Sequence, residues 1–308
     1  LICNTPLIKK YKRETFKYLL ITRLIIKNNK IRPFFLPAKV YGNYWITDEN
    51  KQNLIVDIMK IISIASQKGG CGKSTVTIML ASHLAYNMKK KVCIIDADTR
   101  QKTIVNQRKR NLESVQTSKD EEGNDTVADY DVYKKFFETN IPAYPVFDCQ
   151  LGEQLFDQLE KLVQEDFDYI FVDLPGSIEN NAMFSTLNNC DIIFIPFIQD
   201  TVDFQSNFDF ARVISEIIAK GNDTRISEIY YFWNKDPQTR SAEKEQMEEY
   251  LKMYCPVVKP MTNSIGYSKS TAHDTCRNTI ISPCDKYTNF KSFNLGSFLQ
   301  EATEIICK

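Results

Sequence analysis

Residues 61–75 read Ile61-Ile62-Ser63-Ile64-Ala65-Ser66-Gln67-Lys68-Gly69-Gly70-Cys71-Gly72-Lys73-Ser74-Thr75, and this stretch decides the fold. An apolar, β-rich run feeds a glycine-dense turn, which opens directly onto a helical pattern. That order makes an anion cradle. Glycines let successive backbone N–H groups turn inward, and the following helix adds the positive end of its dipole. Gly69, Gly70, Cys71, Gly72, Lys73 and Ser74, followed by Thr75, fit the P-loop spacing G-x-x-x-x-G-K-[ST], in which Lys73 reaches the β/γ-phosphates and the Ser74 hydroxyl ligates Mg²⁺. Gln67 stands where that spacing wants its first glycine, and an extra lysine, Lys68, precedes Gly69. A chance glycine-rich turn is the rival reading. Gly72-Lys73-Ser74 in register between a strand and a helix favours a nucleotide site.

Outward from this turn the chain alternates strand and helix. The pattern predicts strands over 60–66, 91–96, 169–173, 192–196 and 226–233. It predicts helices over 73–87, 151–164, 177–189, 204–219, 242–254 and roughly 291–307. The acidic, Gly/Asn-containing stretch 118–131 reads as a mobile excursion. Near-continuous apolar strands indicate an α/β fold, a P-loop NTPase with a mostly parallel sheet covered by helices on both faces. Ligands of such sheets bind at the carboxyl ends of the strands, where 67–75, 96–101 and 173–177 all fall.

Two of those strands end in carboxylates. Asp96-Ala97-Asp98 places two aspartates on one face if strand geometry holds that far. Asp173-Leu174-Pro175-Gly176 follows the second strand. Mg²⁺ keeps most of its waters and takes one or two protein oxygens plus phosphate oxygens. Ser74 directly, with Asp96 and Asp173 through water, meets that demand, and Asp98 is left to orient the attacking water on the γ-phosphate. The blander reading makes these aspartates helix caps or turn formers. Asn234, at the end of the 226–233 strand, offers an amide able to pair with a base edge. Asn234-Lys235-Asp236-Pro237 has Pro237 in the slot of the guanine-reading carboxylate of an N-K-x-D motif, which favours ATP over GTP; a plain turn is the alternative.

Gln67-Lys68-Gly69-Gly70-Cys71-Gly72-Lys73-Ser74 closely resembles the deviant Walker A loop of the ParA/MinD ATPases. Asp96-x-Asp98-x-x-Gln101 resembles their switch I, Asp173-x-Pro175-Gly176 their switch II, and Ile193–Pro196 their next landmark. The resemblance covers 59–308. Gln67, where the cell-division branch has glycine, favours the partition (ParA) branch. The overall run also resembles ParA-like ATPases (TraA type) of Bacteroides conjugative transposons. The resemblance implies an ATPase whose Lys68 crosses a dimer interface to the partner's phosphates, so that ATP joins two subunits and hydrolysis releases them. It implies an adenine-side position for Asn234, nonspecific DNA binding by the ATP dimer, and a protein partner that stimulates hydrolysis.

Composition bounds these readings. The chain has 308 residues and zero net charge, with 43% apolar and 25% charged residues, as in an ordinary globular protein. Residues 1–58 carry 11 Lys/Arg and 4 Asp/Glu, summing to +7, so 59–308 sums to −7. The first 58 residues lack sustained periodicity, and Met59 is expected to be the native initiator, with 1–58 an upstream extension; the rival is a basic arm that binds DNA or a partner. Nine scattered cysteines without a C-x-x-C pair suit a reducing cytoplasm and no zinc site or disulfide framework.

No stretch approaches a membrane span. The last helix has an apolar stripe, but Glu301 and Glu304 on its polar side favour core packing over a membrane surface. Candidate DNA cations are Arg108-Lys109-Arg110, Lys252, Lys259, Lys269, Arg277, Lys286 and Lys291, each equally readable as a solvated charge. Three other classes fit the sequence less well. A metabolic P-loop enzyme phosphorylating a small acid needs a second pocket that the sequence does not locate. An iron–sulfur reductase lacks a convincing cysteine pair. The Lys73/Ser74/Asp98/Asp173 set argues against an inactive interaction module.

Overall fold

The strand that leads into the glycine turn, β1 (Lys60–Ile64), is the centre of a seven-stranded sheet. A computed structural model describes residues 25–27, 30–31, 59–119, 125–128, 130–163, 165–176, 181–220, 224–237, 241–266, 277–283 and 294–308. The other strands are β2 (Val92–Asp96), β3 (Val146–Asp148), β4 (Tyr169–Asp173), β5 (Ile192–Phe197), β6 (Glu228–Trp233) and β7 (Val258–Pro260). Their spatial order is β7-β6-β5-β1-β4-β2-β3, and every neighbouring pair is parallel. The expected P-loop NTPase architecture is therefore present, with a sheet that is wholly parallel. After β4 the chain crosses β1 to the other half of the sheet, and such a reversal opens a crevice at the strands' carboxyl ends.

Eight helices are described: α1 (Lys73–Ser82), α2 (Thr103–Ser114), α3 (Tyr130–Thr139), α4 (Glu153–Val163), α5 (Asn181–Asn188), α6 (Thr201–Lys220), α7 (Ala242–Tyr254) and α8 (Leu295–Cys307). Because successive side chains of a strand point to opposite faces, each strand feeds two cores. Ile61, Ile95, Val172, Ile193 and Tyr231 pack against α4 to α7, while Ile62, Ile94, Phe171, Phe194 and Phe232 pack against α1, α2 and α8. Burial on both faces is why these strands read as continuous apolar runs. The C-terminal helix sinks Leu295, Phe298, Leu299, Ala302, Ile305 and Ile306 into the second core, with Phe298 and Phe232 ring centroids 4.9 Å apart. Core packing is thus its role, and among the described residues no helix is long and apolar enough to cross a membrane.

Two stretches depart from the sequence reading. The helix expected over 73–87 leaves α geometry after Ser82, and His83–Asn87 form a π turn closed by Met88 N–H on the His83 carbonyl at 3.3 Å. That turn keeps Leu84, Ala85 and Tyr86 buried, with the Tyr86 hydroxyl donating to the Thr279 carbonyl. The excursion 118–131 contains an antiparallel pair, Ser118–Lys119 with Asp125–Thr126, and runs into α3. Val132 of α3 is buried against Val115, Ile280 and Ile281. Of residues 1–58 only a short antiparallel pair, Ile25–Lys27 with Lys30–Ile31, is described, so the reading of that segment lies outside the described residues.

A buried ion pair fastens the amino-terminal edge of the sheet. The Asp191 carboxylate accepts from Ile61 N–H at 2.8 Å and from Arg225 Nε at 2.8 Å, and Arg225 also donates to the Met59 carbonyl at 2.9 Å. One charge pair thereby joins the entries to β1, β5 and β6. Removing one partner strands the other charge in a dry site, so Arg225→Ala is expected to cost about 3–5 kcal/mol. Urea unfolding of Arg225→Ala, Asp191→Ala and the double variant checks this, with the double variant expected to lose less than the two singles together.

Candidate active site at the carboxyl edge of the sheet

Parallel register sets the geometry. Asp173 of β4 lies level with Ile64 of β1 on one side and with Asp96 of β2 on the other. The glycine turn leaves β1 at this same edge and enters α1 at Lys73. Gly70 and Gly72 adopt φ values of 80° and 91°, in the left-handed region that side chains disfavour. A Cβ on Gly72 would also sit 2.4 Å from Asn234 Nδ2. On the other flank, a Cβ on Gly176 would meet Gly69 N and Lys73 Nζ, each at 3.1 Å. The segment after β4 therefore lies directly against the turn, and Gly176 is a position of close approach.

Lys73 is buried, and its Nζ donates to the Lys68 carbonyl at 2.9 Å. The same carbonyl accepts from Ser66 Oγ at 3.0 Å and from the buried Cys71 thiol at 3.3 Å. Lys68 is part-exposed, and its ammonium forms an ion pair with Asp203 in the first turn of α6. Asp200 orients that turn by accepting from the N–H groups of Val202 and Asp203. The two lysines of the loop thus occupy different places, one within the cradle and one at its lip.

The carboxylates separate in the same way. Asp96 is fully buried but satisfied, accepting from the N–H groups of Ile104 at 2.9 Å, Val105 at 3.1 Å and Asp98 at 3.3 Å. It therefore also clasps the start of α2, as the blander reading expects. Asp98 is half-buried, and one of its oxygens accepts from Gln101 N–H at 3.2 Å. Asp173 is fully buried, and neither of its oxygens makes a hydrogen bond of sound geometry. Burial pushes its carboxyl up to about 7; the nearby Ser74 hydroxyl and Lys73 pull it down, and Asp96 and Asp98 push it further up. Burial likewise raises Asp96, against the N–H groups that hold its charge.

An orphaned, buried carboxylate beside a hydroxyl fits a hard cation that takes few protein oxygens. Among the described residues no group of three or more His, Cys, Asp or Glu could hold a metal by protein ligands alone. The cysteines described, Cys71, Cys93, Cys149, Cys190, Cys255 and Cys307, are free thiols, all buried except Cys307.

Asn234 points its amide at the glycine turn. Its Nδ2 donates to the Cys71 carbonyl at 2.7 Å, and its Oδ1 accepts from Lys235 N–H at 2.9 Å. Lys235 has φ 54° and its Nζ donates to the Gly70 carbonyl at 2.8 Å. Neither Lys235 nor Asp203 was legible as a site residue, since each acts through a tertiary contact with the turn. The cations considered for DNA disperse. Arg108 is consumed in a polar junction, donating to the Thr279 hydroxyl and carbonyl and to the Tyr144 carbonyl, with its guanidinium over the Tyr144 ring. Lys109 lies near Glu113, and Lys259 pairs with Glu228. Lys269, Lys286 and Lys291 lie outside the described residues.

Comparison with known proteins agrees with this architecture. A family model described as "AAA domain" matches residues 59–226, more than half of the chain, and the chain belongs to that family. No curated protein matches it in sequence. MinD of Aquifex aeolicus, solved in a MinC:MinD cell division complex, is 15% identical, with a TM-score of 0.52 over 81% of this chain and 96% of that one. A Borrelia burgdorferi structure described as a plasmid partition protein bound to AMPPNP is 18% identical, with a TM-score of 0.50 over 81% of this chain and 98% of that one. The fold is that of the ParA/MinD type of P-loop NTPase.

Asp173 offers a direct test of the site. Its folded pKa of about 7 lies above the ordinary value of 3.8. Its stabilising contribution is therefore fully present below 3.8 and is lost as pH rises through about 7. Asp173→Asn removes a buried charge, so its melting temperature is expected to exceed that of the parent by a wider margin at pH 8 than at pH 5. Thermal unfolding of the nucleotide-free protein at both pH values checks this; a wider margin at pH 5 contradicts it.

Proposed function

We propose that the chain is a Mg-ATP-dependent dimerisation switch with slow ATP hydrolysis, serving partition, positioning or conjugative transfer of a mobile DNA element. The ParA/MinD resemblance of its motifs supports the class, with Gln67 favouring the partition branch. The observation that carries the reading is the division of labour between two lysines of one loop. Lys73 is buried in the cradle, while Lys68 is held at the lip by Asp203, outside its own phosphate site.

In this reading the N–H groups of Gly69–Thr75 hold the phosphates, and Lys73 exchanges the Lys68 carbonyl for phosphate oxygens. Ser74 and Asp173, with Asp96 behind them, are the residues that would hold Mg²⁺, which supplies charge neutralisation between the β- and γ-phosphates when bound. Asp98 orients the water that attacks the γ-phosphorus, yielding ADP and phosphate. Lys68 leaves Asp203 to reach the phosphates of a second subunit, which makes turnover depend on dimerisation. The N–H and carboxylate groups of the site are preorganised, so catalysis rests on positioning and electrostatics. DNA and a stimulating protein are the partners this class implies, and the charge of −7 over 59–308 limits the strength of the DNA contact.

Two variants test the assignment. Lys68→Gln is expected to bind ATP within about threefold of the parent but to turn over about tenfold more slowly, because only a contact made in the dimer is lost. Its specific activity should no longer rise with protein concentration. Asp98→Ala is expected to retain ATP binding and to lose at least about tenfold in hydrolysis. Steady-state phosphate release across a protein dilution series decides, and unchanged concentration dependence in Lys68→Gln would contradict the role of Lys68.

A further inference from the structure

The end of β6 supports the glycine turn through two consecutive residues. Asn234 Nδ2 takes the Cys71 carbonyl at 2.7 Å and Lys235 Nζ takes the Gly70 carbonyl at 2.8 Å. These are successive peptide units. In a planar trans peptide the C=O and the following N–H point in opposite directions. Tying the Gly70 and Cys71 carbonyls toward β6 therefore turns the N–H groups of Cys71 and Gly72 away from it. Those two N–H groups donate to no backbone acceptor among the described residues. They are the donors a phosphate cradle needs.

The support is itself locked. Lys235 N–H donates to Asn234 Oδ1 at 2.9 Å, which fixes the amide with its Nδ2 toward Cys71. That contact accompanies a φ of 54° at Lys235, a left-handed conformation that most side chains other than asparagine and aspartate disfavour. Lysine is not what a left-handed turn position selects. Glycine or asparagine would relieve the strain but could not reach Gly70 with an ammonium. Lys89 and Lys102 adopt the same backbone, and what distinguishes Lys235 is its contact with the Gly70 carbonyl.

We infer that Lys235 is a positioning residue for nucleotide phosphates. It acts with Asn234 to hold two successive carbonyls of the glycine turn outward so that the intervening N–H groups face a β-phosphate. The inference rests on the nucleotide reading of the site. It also gives Asn234 a task at the phosphate end of the ligand, beside any contact with the base.

Fluorescent mant-ADP with Mg²⁺, titrated into the full chain, tests this with Lys235→Gly and Lys235→Arg. Lys235→Gly relieves the backbone while removing the exposed side chain with its ammonium, so its melting temperature should equal or exceed the parent's. Its mant-ADP affinity should nevertheless fall about tenfold, and Lys235→Arg should restore it to within about threefold. Unchanged affinity in Lys235→Gly overturns the inference, as does a loss that appears only with a drop of several degrees in melting temperature, which marks the residue as structural. Absence of mant-ADP binding by the parent overturns the nucleotide reading itself, and the inference with it.

Discussion

The parallel register between β1, β4 and β2 is the constraint on which the rest depends. It sets Ile64, Asp173 and Asp96 at one height along the carboxyl edge of the sheet. The glycine turn leaves one of these strands while the two carboxylates end the others. A slip of one residue in any of the three would send Asp96 or Asp173 to the opposite face and dismantle the site. Apolar burial on both faces resists such a slip, since every strand position in β2 and β4 is buried. The core and the site are consequently one problem in this protein. The residues that hold the register also aim the carboxylates.

The electrostatics of that edge are deliberately unfinished. Asp96 is satisfied by three N–H groups, whereas Asp173 beside it is buried without a sound hydrogen bond. Lys73 is satisfied by a carbonyl it can exchange, and Lys68 by the half-buried Asp203 carboxylate on another element. Buried groups are ordinarily paired, so an orphan of this kind concentrates where a ligand completes the set. The amino-terminal edge shows the contrast, since Asp191 and Arg225 satisfy one another there and knit three strand entries.

Much of this was legible in the sequence, for identifiable reasons. The strands β1, β2, β4, β5 and β6 announce themselves because burial on both faces makes them unbroken apolar runs, and the glycine turn because its φ values admit little else. The edge strands β3 and β7 are three residues long and carry too little pattern to see. Helix α2 is hidden because what it buries, Gln107 and Asn111, is largely polar, with Asn111 satisfied by Thr279 on a distant segment. Arg108 misleads for the same reason, since it looks like a surface cation until Tyr144 and Thr279 are brought to it. Within the site, the glycine turn and its carboxylates follow from local pattern, whereas Asp203 and Lys235 depend on which helix start and strand end the fold lays against the turn.

In the proposed function ATP joins two copies of this chain. Light scattering of the full chain on a size-exclusion column, without nucleotide and with saturating ATP and Mg²⁺, tests it most directly. The expected mass is 35.7 kDa without nucleotide and twice that with ATP, returning to the monomer with ADP. A monomer at saturating ATP, in a protein shown to have bound it, would contradict the account.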